Sequence, residues 1–406
     1  MRNNKLFILA LFVLAFNLVI AQSDSMPILQ KSDAFPSAKV TCGPWLQAVA
    51  ENEFTVVWTT NLDATVWVEV APDDGTHFYH KERPKYYESE YGRRVIGKIH
   101  KVRITGLEKG TTYRYRIYQQ ALLLNEGRKR ILFGEGFGSD VLKQKPYFLT
   151  TLNSDKRTTS FSVFNDIHAN DSLFRQLSSE IKKKQTDFVI FNGDMLSEIE
   201  SEKQIFDGYL KSACELFASE VPIYAIRGNH EFRGQYSWEF FEYFPNCNNN
   251  AYYAFRNGPA YIICLDSGED KPDNDIRNLE LSVSDQFRAE EAEWLKKVVN
   301  TKEFKESPIK IVVIHMPPEK DGWYGTSEVY RLFVPILNGT GVDLMVCGHK
   351  HKHSYIEKGN RDNDFPILIN SNDWRTDIKV STSGIEAVLV DASGHVMKMH
   401  SIKSNN

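Results

Sequence analysis

Residues 187–197, DFVIFNGDMLS, set the reading of the whole chain. The apolar run 188–191 has the character of a buried strand, and it stops at Asn192-Gly193-Asp194. Glycine lets the backbone turn sharply there and leaves the carboxylate of Asp194 at the strand tip. Four other stretches repeat the pattern. FSVFNDIH (161–168) ends on Asp166 and His168, PIYAIRGNHE (222–231) on Asn229 and His230, IKIVVIH (309–315) on His315, and DLMVCGHKH (343–351) on His349 and His351. In an open α/β sheet the carboxyl ends of the strands line one crevice, so these tips are expected to converge.

Two Asp, one Asn and several His supply oxygen and imidazole donors without thiolate. That set suits Zn, Mn or Fe better than a structural zinc knuckle or a calcium loop. It is too large for one ion, and a carboxylate has two oxygens with which to bridge a pair. Two-metal sites of this kind hold their ions roughly 3.5–4 Å apart for in-line attack on phosphorus. Asp194 is the expected bridge.

At 406 residues, with 42% hydrophobic and 25% charged residues, the chain has room for two ordinary globular domains. Its formal net charge of −4 offers no basic patch for nucleic acid. Residues 1–21 place Arg2 and Lys5 ahead of an apolar core and end on Val19-Ile20-Ala21, the pattern of a secretory signal peptide, with a retained anchor as the competing reading. No stretch beyond it is long and apolar enough to span a membrane. A secreted or periplasmic protein is therefore expected. Cys42, Cys214, Cys247, Cys264 and Cys347 fit neither a disulfide framework nor a zinc motif. Cys264 and Cys347 are expected as buried thiols, and a Cys214–Cys247 bridge is one option in an oxidising compartment.

After a polar linker, 22–37, residues 38–152 are expected to be all-β. FTVVWTT (54–60), ATVWVEV (64–70), HKVRIT (100–105), TYRYRIY (112–118) and PYFLTTL (146–152) alternate in character and are separated by turn residues such as Asn61-Leu62-Asp63. A small sandwich accommodates them, and Leu107, Gly110 and Tyr113 have the spacing of a tyrosine corner. The segment 121–145 reads as a long loop, and His77, His80 and His100 as surface residues. From 158 to 402 strands alternate with helical faces, Leu173/Leu177/Ile181 and Phe206/Leu210/Phe217, with a further helix around 290–299. That alternation predicts a layered α/β domain of two β-sheets flanked by helices, closed by a hairpin over 385–400.

The ordered set Asp166-x-His168, Gly193-Asp194, Gly228-Asn229-His230-Glu231, His315 and Gly348-His349-x-His351 resembles the calcineurin-like metallophosphoesterase superfamily. An N-terminal domain similar to fibronectin type III, followed by this one, resembles the layout of purple acid phosphatases. The resemblance implies a dinuclear centre in which Asp166, His168, Asp194 and His351 hold one ion and Asp194, Asn229, His315 and His349 the other. His230 would be the proton donor or an orienting residue. Two positions depart from the narrower family: Ser197 stands where those enzymes carry a tyrosine ligand, and His168 where they carry glycine. No tyrosinate-to-iron colour is expected, so the ion pair is left as Mn, Zn or Fe.

The expected chemistry is hydrolysis of a phosphate monoester, in a small molecule or a phosphorylated biomolecule, by in-line attack of a hydroxide bridging the two ions, with His230 protonating the leaving oxygen. The same centre permits a phosphodiesterase, and a binding protein with a vestigial metal site is the reading from another class. In the loop MPPEKDGWYG (316–325), Trp323 and Tyr324 are candidates for a substrate wall. Arg227 is read as a structural ion pair in preference to a phosphate contact, and His353 as a surface or supporting residue.

Overall fold

The computed structural model describes residues 36–138, 143–246 and 250–404. The expected signal peptide, most of the linker and Cys247 lie outside them.

The N-terminal domain is β-rich. One strand, Glu53–Pro72, runs through both FTVVWTT and ATVWVEV, where a turn at Asn61-Leu62-Asp63 was expected. Its first half pairs with Val40–Gln47 and Gly97–Thr105, its second half with Thr112–Asn125 and Lys85–Tyr87, and the register shifts between Thr59 and Ala64. The polar triplet is thus an irregularity at which the strand changes partners, not a reversal. Phe54, Val56, Trp58, Val66, Val68, Val102, Ile104 and Tyr115 are buried together. The Tyr113 hydroxyl accepts from the Glu108 N–H (3.0 Å), the expected upstream backbone bond of a tyrosine corner.

Two other expectations fail here. Much of 121–145 is strand, because Thr112–Asn125 continues and folds back on Ile131–Gly138. His100 is fully buried, its Nε2 2.8 Å from Thr60 Oγ1, where a surface position was expected. The alternation of its strand puts it inside, where Thr60 engages Nε2 and Nδ1 stands 3.7 Å from Glu88 Oε2.

The second domain has two six-stranded sheets. In the first, Thr158–Phe164, Phe188–Asn192 and Ile223–Ile226 run parallel, and Trp374–Ser381, Gly384–Asp391 and Val396–Lys403 extend it antiparallel. The last two form the expected closing hairpin. In the second, Ala260–Leu265, Ile309–Ile314, Leu344–Cys347 and Ile367–Ile369 are parallel. Alternate residues such as Val163, Ile190, Ile262 and Val313 fill one core between the sheets. The opposite faces are covered by helices, Asp171–Ser178 and the helical segment 202–218 on one side, Ser284–Val298 and Tyr324–Leu337 on the other. Near-continuous apolar strands covered on both faces have this character. Leu177 and Ile181 are buried as expected and the half-buried Leu173 packs against the same core, to which the first helix also adds Phe174.

The domains are joined by buried aromatic groups that hydrogen-bond across the junction. Trp45 Nε1 donates to Tyr243 O (2.9 Å), Tyr115 Oη to Ser219 O (2.6 Å) and Tyr224 Oη to Val49 O (2.6 Å). Cys42, Cys214, Cys264 and Cys347 are free thiols, the last two fully buried as expected.

Candidate metal centre

Each chemistry-bearing tip follows a parallel strand. Asp166, Asp194 and Asn229 come after the three parallel strands of the first sheet, and His315 and the His349/His351 pair after two strands of the second. The loops turn at once to bring the side chains inward. Asp166, His168, Asp194, His349 and His351 all have φ between +49° and +71°, a region that few non-glycine residues occupy. Such strain gathers where the surrounding structure imposes a geometry.

The side chains meet in three groups, Asp166/His168/His351 and Asp194/His315/His349 with His168/Asp194/His230 linking them, in each of which one donor atom per residue lies within 4.8 Å of the others. Asp166 Oδ1 lies 3.1 Å from His351 Nε2 and 4.0 Å from His315 Nε2, and Asp194 Oδ2 lies 3.0 Å from His315 Nε2. His168 Nε2 is 3.1 Å from His351 Nε2, and Asn229 Oδ1 is 3.0 Å from His349 Nδ1. All seven residues expected as ligands are therefore brought together. His230 joins them at the rim, with Nε2 3.9 Å from Asp194 Oδ2.

Neighbouring groups fix the orientation of each ring and carboxylate. His315 Nδ1 faces the Asn192 carbonyl (2.8 Å), which can only accept, so Nδ1 carries the hydrogen and Nε2 turns toward the carboxylates. Asp166 Oδ2 accepts from Asn165 Nδ2 (2.6 Å) and the His349 N–H (2.8 Å), leaving Oδ1 to the centre. Glu231, fully buried, accepts from the backbone N–H groups of Asp194, Met195 and Gly228, each at 2.8 Å, and so ties two ligand loops together. Burial and the Asp194 charge push its carboxyl up to about 7. Burial opposes charge on His315, but Asp194 and Asp166 override it and raise the imidazole to about 10, while burial and His315 lower His349 to about 4.

His349 Nε2 is buried with no hydrogen-bond partner, while Asp166 Oδ1 and His315 Nε2, also buried, face only the ionic neighbours just named. Buried polar atoms are normally satisfied, so an unbonded imidazole nitrogen beside two close-set carboxylates calls for another group. Two carboxylates, an amide oxygen and imidazole nitrogens at this spacing fit a pair of divalent or trivalent ions. The cleft at the domain junction, lined in part by Val49, Tyr224, Tyr253 and Phe255, involves none of these residues.

Around the centre, Trp323 sets its ring 5.3 Å from His349, and Lys350 Nζ lies 4.8 Å over the indole. Tyr324 points elsewhere: its hydroxyl donates to Asp285 Oδ2 (2.6 Å). Arg227 is bonded to the buried Asp266 (2.7 Å), the expected ion pair. His353 hydrogen-bonds the Ile369 carbonyl and faces His400. Two residues escaped the sequence reading. Arg233, held by Glu269 and Asp270, places Nη1 3.3 Å from both ring nitrogens of His230. Ser197 serves two histidines, its carbonyl 2.5 Å from His230 Nδ1 and its hydroxyl 3.2 Å from His168 Nδ1. Nothing in the spacing marks Arg233; Ser197 was visible only as a departure from a family pattern.

Residues 159–353 match the calcineurin-like phosphoesterase family, and residues 44–126 the purple acid phosphatase N-terminal domain. Purple acid phosphatase 21 of Arabidopsis thaliana is 24% identical over 277 residues, covering 63% of this chain and 53% of that protein. Purple acid phosphatase 18 of the same plant is 23% identical over 364 residues, covering 84% and 70% respectively. The chain thus spans little more than half of the first of these relatives. A purple acid phosphatase from yellow lupin (Lupinus luteus) seeds, PPD1, shares the fold with a TM-score of 0.60 at 14% identity, over 89% of this chain and 74% of that one. The second domain thus matches the calcineurin-like phosphoesterases over residues 159–353, and the domain ahead of it matches the purple acid phosphatase N-terminal domain.

Proposed function

We propose that the protein is a metal-dependent phosphoesterase acting on phosphate monoesters. The observation that carries this reading is the convergence of the buried Asp166 Oδ1 and His315 Nε2 with the buried, unbonded His349 Nε2, Asp194 reaching toward both groups. Asp166, His168, Asp194 and His351 would hold one ion, and Asp194, Asn229, His315 and His349 the other. Such a pair, when bound, lowers the pKa of a coordinated water and neutralises charge on phosphoryl oxygens.

The chain's own groups supply the rest. The Ser197 carbonyl accepts from His230 Nδ1–H, so the proton that His230 can exchange is the one on Nε2, on the side of Asp194. From there it is delivered to the leaving oxygen. Arg233, immobilised by Glu269 and Asp270, keeps that ring in place. Export to a periplasm or medium is part of the proposal and rests on residues 2–21. Among the described residues no helix is long and apolar enough to cross a membrane.

The test is the initial rate on an aryl phosphomonoester and the matching diester, with Mn- or Zn-loaded protein beside a chelated control. Chelator-sensitive turnover favouring the monoester is expected. Preference for the diester would make the protein a phosphodiesterase, and bound metal without turnover of either would remove the enzymatic reading.

A further inference from the structure

The segment after the Ala260–Leu265 strand leaves the sheet at the same end as the ligand loops, because that strand runs parallel to Ile309–Ile314, which ends at His315. Its two ends are fastened at the rim of the centre. Asp270 accepts from Arg233 Nη2 (2.9 Å), the arginine beside His230, and its carbonyl accepts from the Gly325 N–H (3.0 Å). Asp285, at the other end, accepts from Tyr324 Oη, next to the Trp323 that faces His349.

Between these anchors the loop closes on itself through polar groups alone. Asp273 accepts from Ser282 Oγ (2.6 Å) and the Ser284 N–H (2.7 Å), and Asn278 Nδ2 donates to the Pro272 carbonyl (2.8 Å). Its aliphatic residues join that closure only through their backbone, and their side chains face water. Ile276 is 87% exposed, Leu279 73%, Leu281 64% and Val283 68%, and Trp323 at the rim is 59% exposed. Leu279 and Glu280 both have positive φ, +52° and +61°. A polar-closed loop that adopts a strained backbone while presenting four aliphatic side chains to water is built to meet something apolar.

What it meets is set by its neighbour. A ligand held at one end by the phosphate chemistry of the centre and at the other by this rim has an anionic head and an aliphatic tail. We propose that the loop 270–285 is a specificity rim, and that the preferred substrates are phosphate esters of aliphatic chains, the chain lying across Ile276, Leu279, Leu281 and Val283. This deepens, and rests on, the phosphoesterase reading.

The experiment uses the full metal-loaded chain and its Ile276→Ser/Leu279→Ser/Leu281→Ser variant, with thermal unfolding to establish that both are folded. Rates are measured on ethyl, hexyl and decyl phosphate below their aggregation concentrations, and binding of methyl- and decylphosphonate by calorimetry. Burial of even part of a decyl chain predicts that kcat/KM rises about tenfold or more from ethyl to decyl in the wild type. The variant should keep the ethyl value and lose the rise. An equal rise in both proteins, or none in the wild type while ethyl phosphate is turned over, overturns the rim and leaves the phosphoesterase reading standing. No turnover of any ester, with decylphosphonate still bound more tightly than methylphosphonate by the wild type alone, would keep the rim and remove the enzyme. Self-association of the wild type that the variant abolishes would assign the patch to a second copy of the chain and overturn the proposal.

Discussion

The Ser197 hydroxyl lies 3.2 Å from Nδ1 of His168, so the two positions at which the sequence departs from the expected purple acid phosphatase pattern stand against each other. The two departures are one arrangement. Ser197→Ala removes the hydroxyl and keeps the carbonyl that serves His230. Groups that orient ligands in this way are typically worth about 10–100-fold in metal affinity. Titration of the apo protein with Mn or Zn should show one of two ions weakened to that extent, and equal affinity in the variant would separate Ser197 from the centre.

Glu231 makes a second prediction. Its carboxylate gathers backbone donors from both the Asp194 and the Gly228 loops. Glu231→Gln keeps the shape but turns an NH2 group toward N–H donors, leaving buried groups unpaired at about 1–3 kcal/mol each. Thermal unfolding should fall accordingly, and metal retained after dialysis should drop with it. Unchanged values in both would refute the role.

Gly193 tests the backbone itself. It has φ +78°, and a Cβ there would stand 2.4 Å from the Gly228 nitrogen and 2.8 Å from the His315 ring. Gly193→Ala must therefore push apart two ligand loops, at a cost of about 1–3 kcal/mol from strain alone. The expected outcome is a folded but less stable protein that binds both ions poorly, measured by elemental analysis and melting.

Arg227 separates a structural from a substrate role. It is bonded to Asp266, which is fully buried, and lies over the rings of Phe232 and Phe241. Arg227→Ala leaves a buried carboxylate uncompensated, which costs about 3–5 kcal/mol. A large loss of stability is expected, with KM unchanged in the fraction that remains folded. A raised KM at unchanged stability would make it a phosphate contact instead.

Asp377 supplies a pH dependence away from the centre. Burial opposes its charge, yet bonds from Arg375 (2.7 and 2.9 Å), Lys184 (2.8 Å) and Ser162 (2.6 Å) hold its carboxyl below the usual value. A carboxylate depressed in the folded state stabilises it fully above the unfolded pKa of about 3.9 and loses that contribution as pH falls through the folded value. The melting temperatures of wild type and Asp377→Asn should thus differ at pH 7 and converge only once the pH has fallen below the depressed folded value. A difference that persists at low pH would mean the loss is steric.

The candidate site was legible because strand and chemistry-bearing residue lie side by side in sequence: an apolar run names the strand, and the first polar residues after it occupy the tip. The class of fold followed from the same alternation. The failures have a common cause, which is that local pattern does not report partners. Asn61-Leu62-Asp63 looks like a turn until neighbouring strands pull it straight, and His100 looks solvated until Thr60 is placed beside it. Arg233 reaches His230 from three residues away, but Glu269 and Asp270, which hold it there, arrive from a loop that no spacing connects to it.

The three aromatic hydrogen bonds across the domain junction carry a consequence for the life of the protein as one piece. Trp45 and Tyr115 reach into the second domain and Tyr224 reaches back, so each domain completes backbone or ring groups of the other. A proteolytic cut at residues 153–157 would not release two usable modules. It would leave wounded faces on both halves, and evolution would find it hard to trade either one alone.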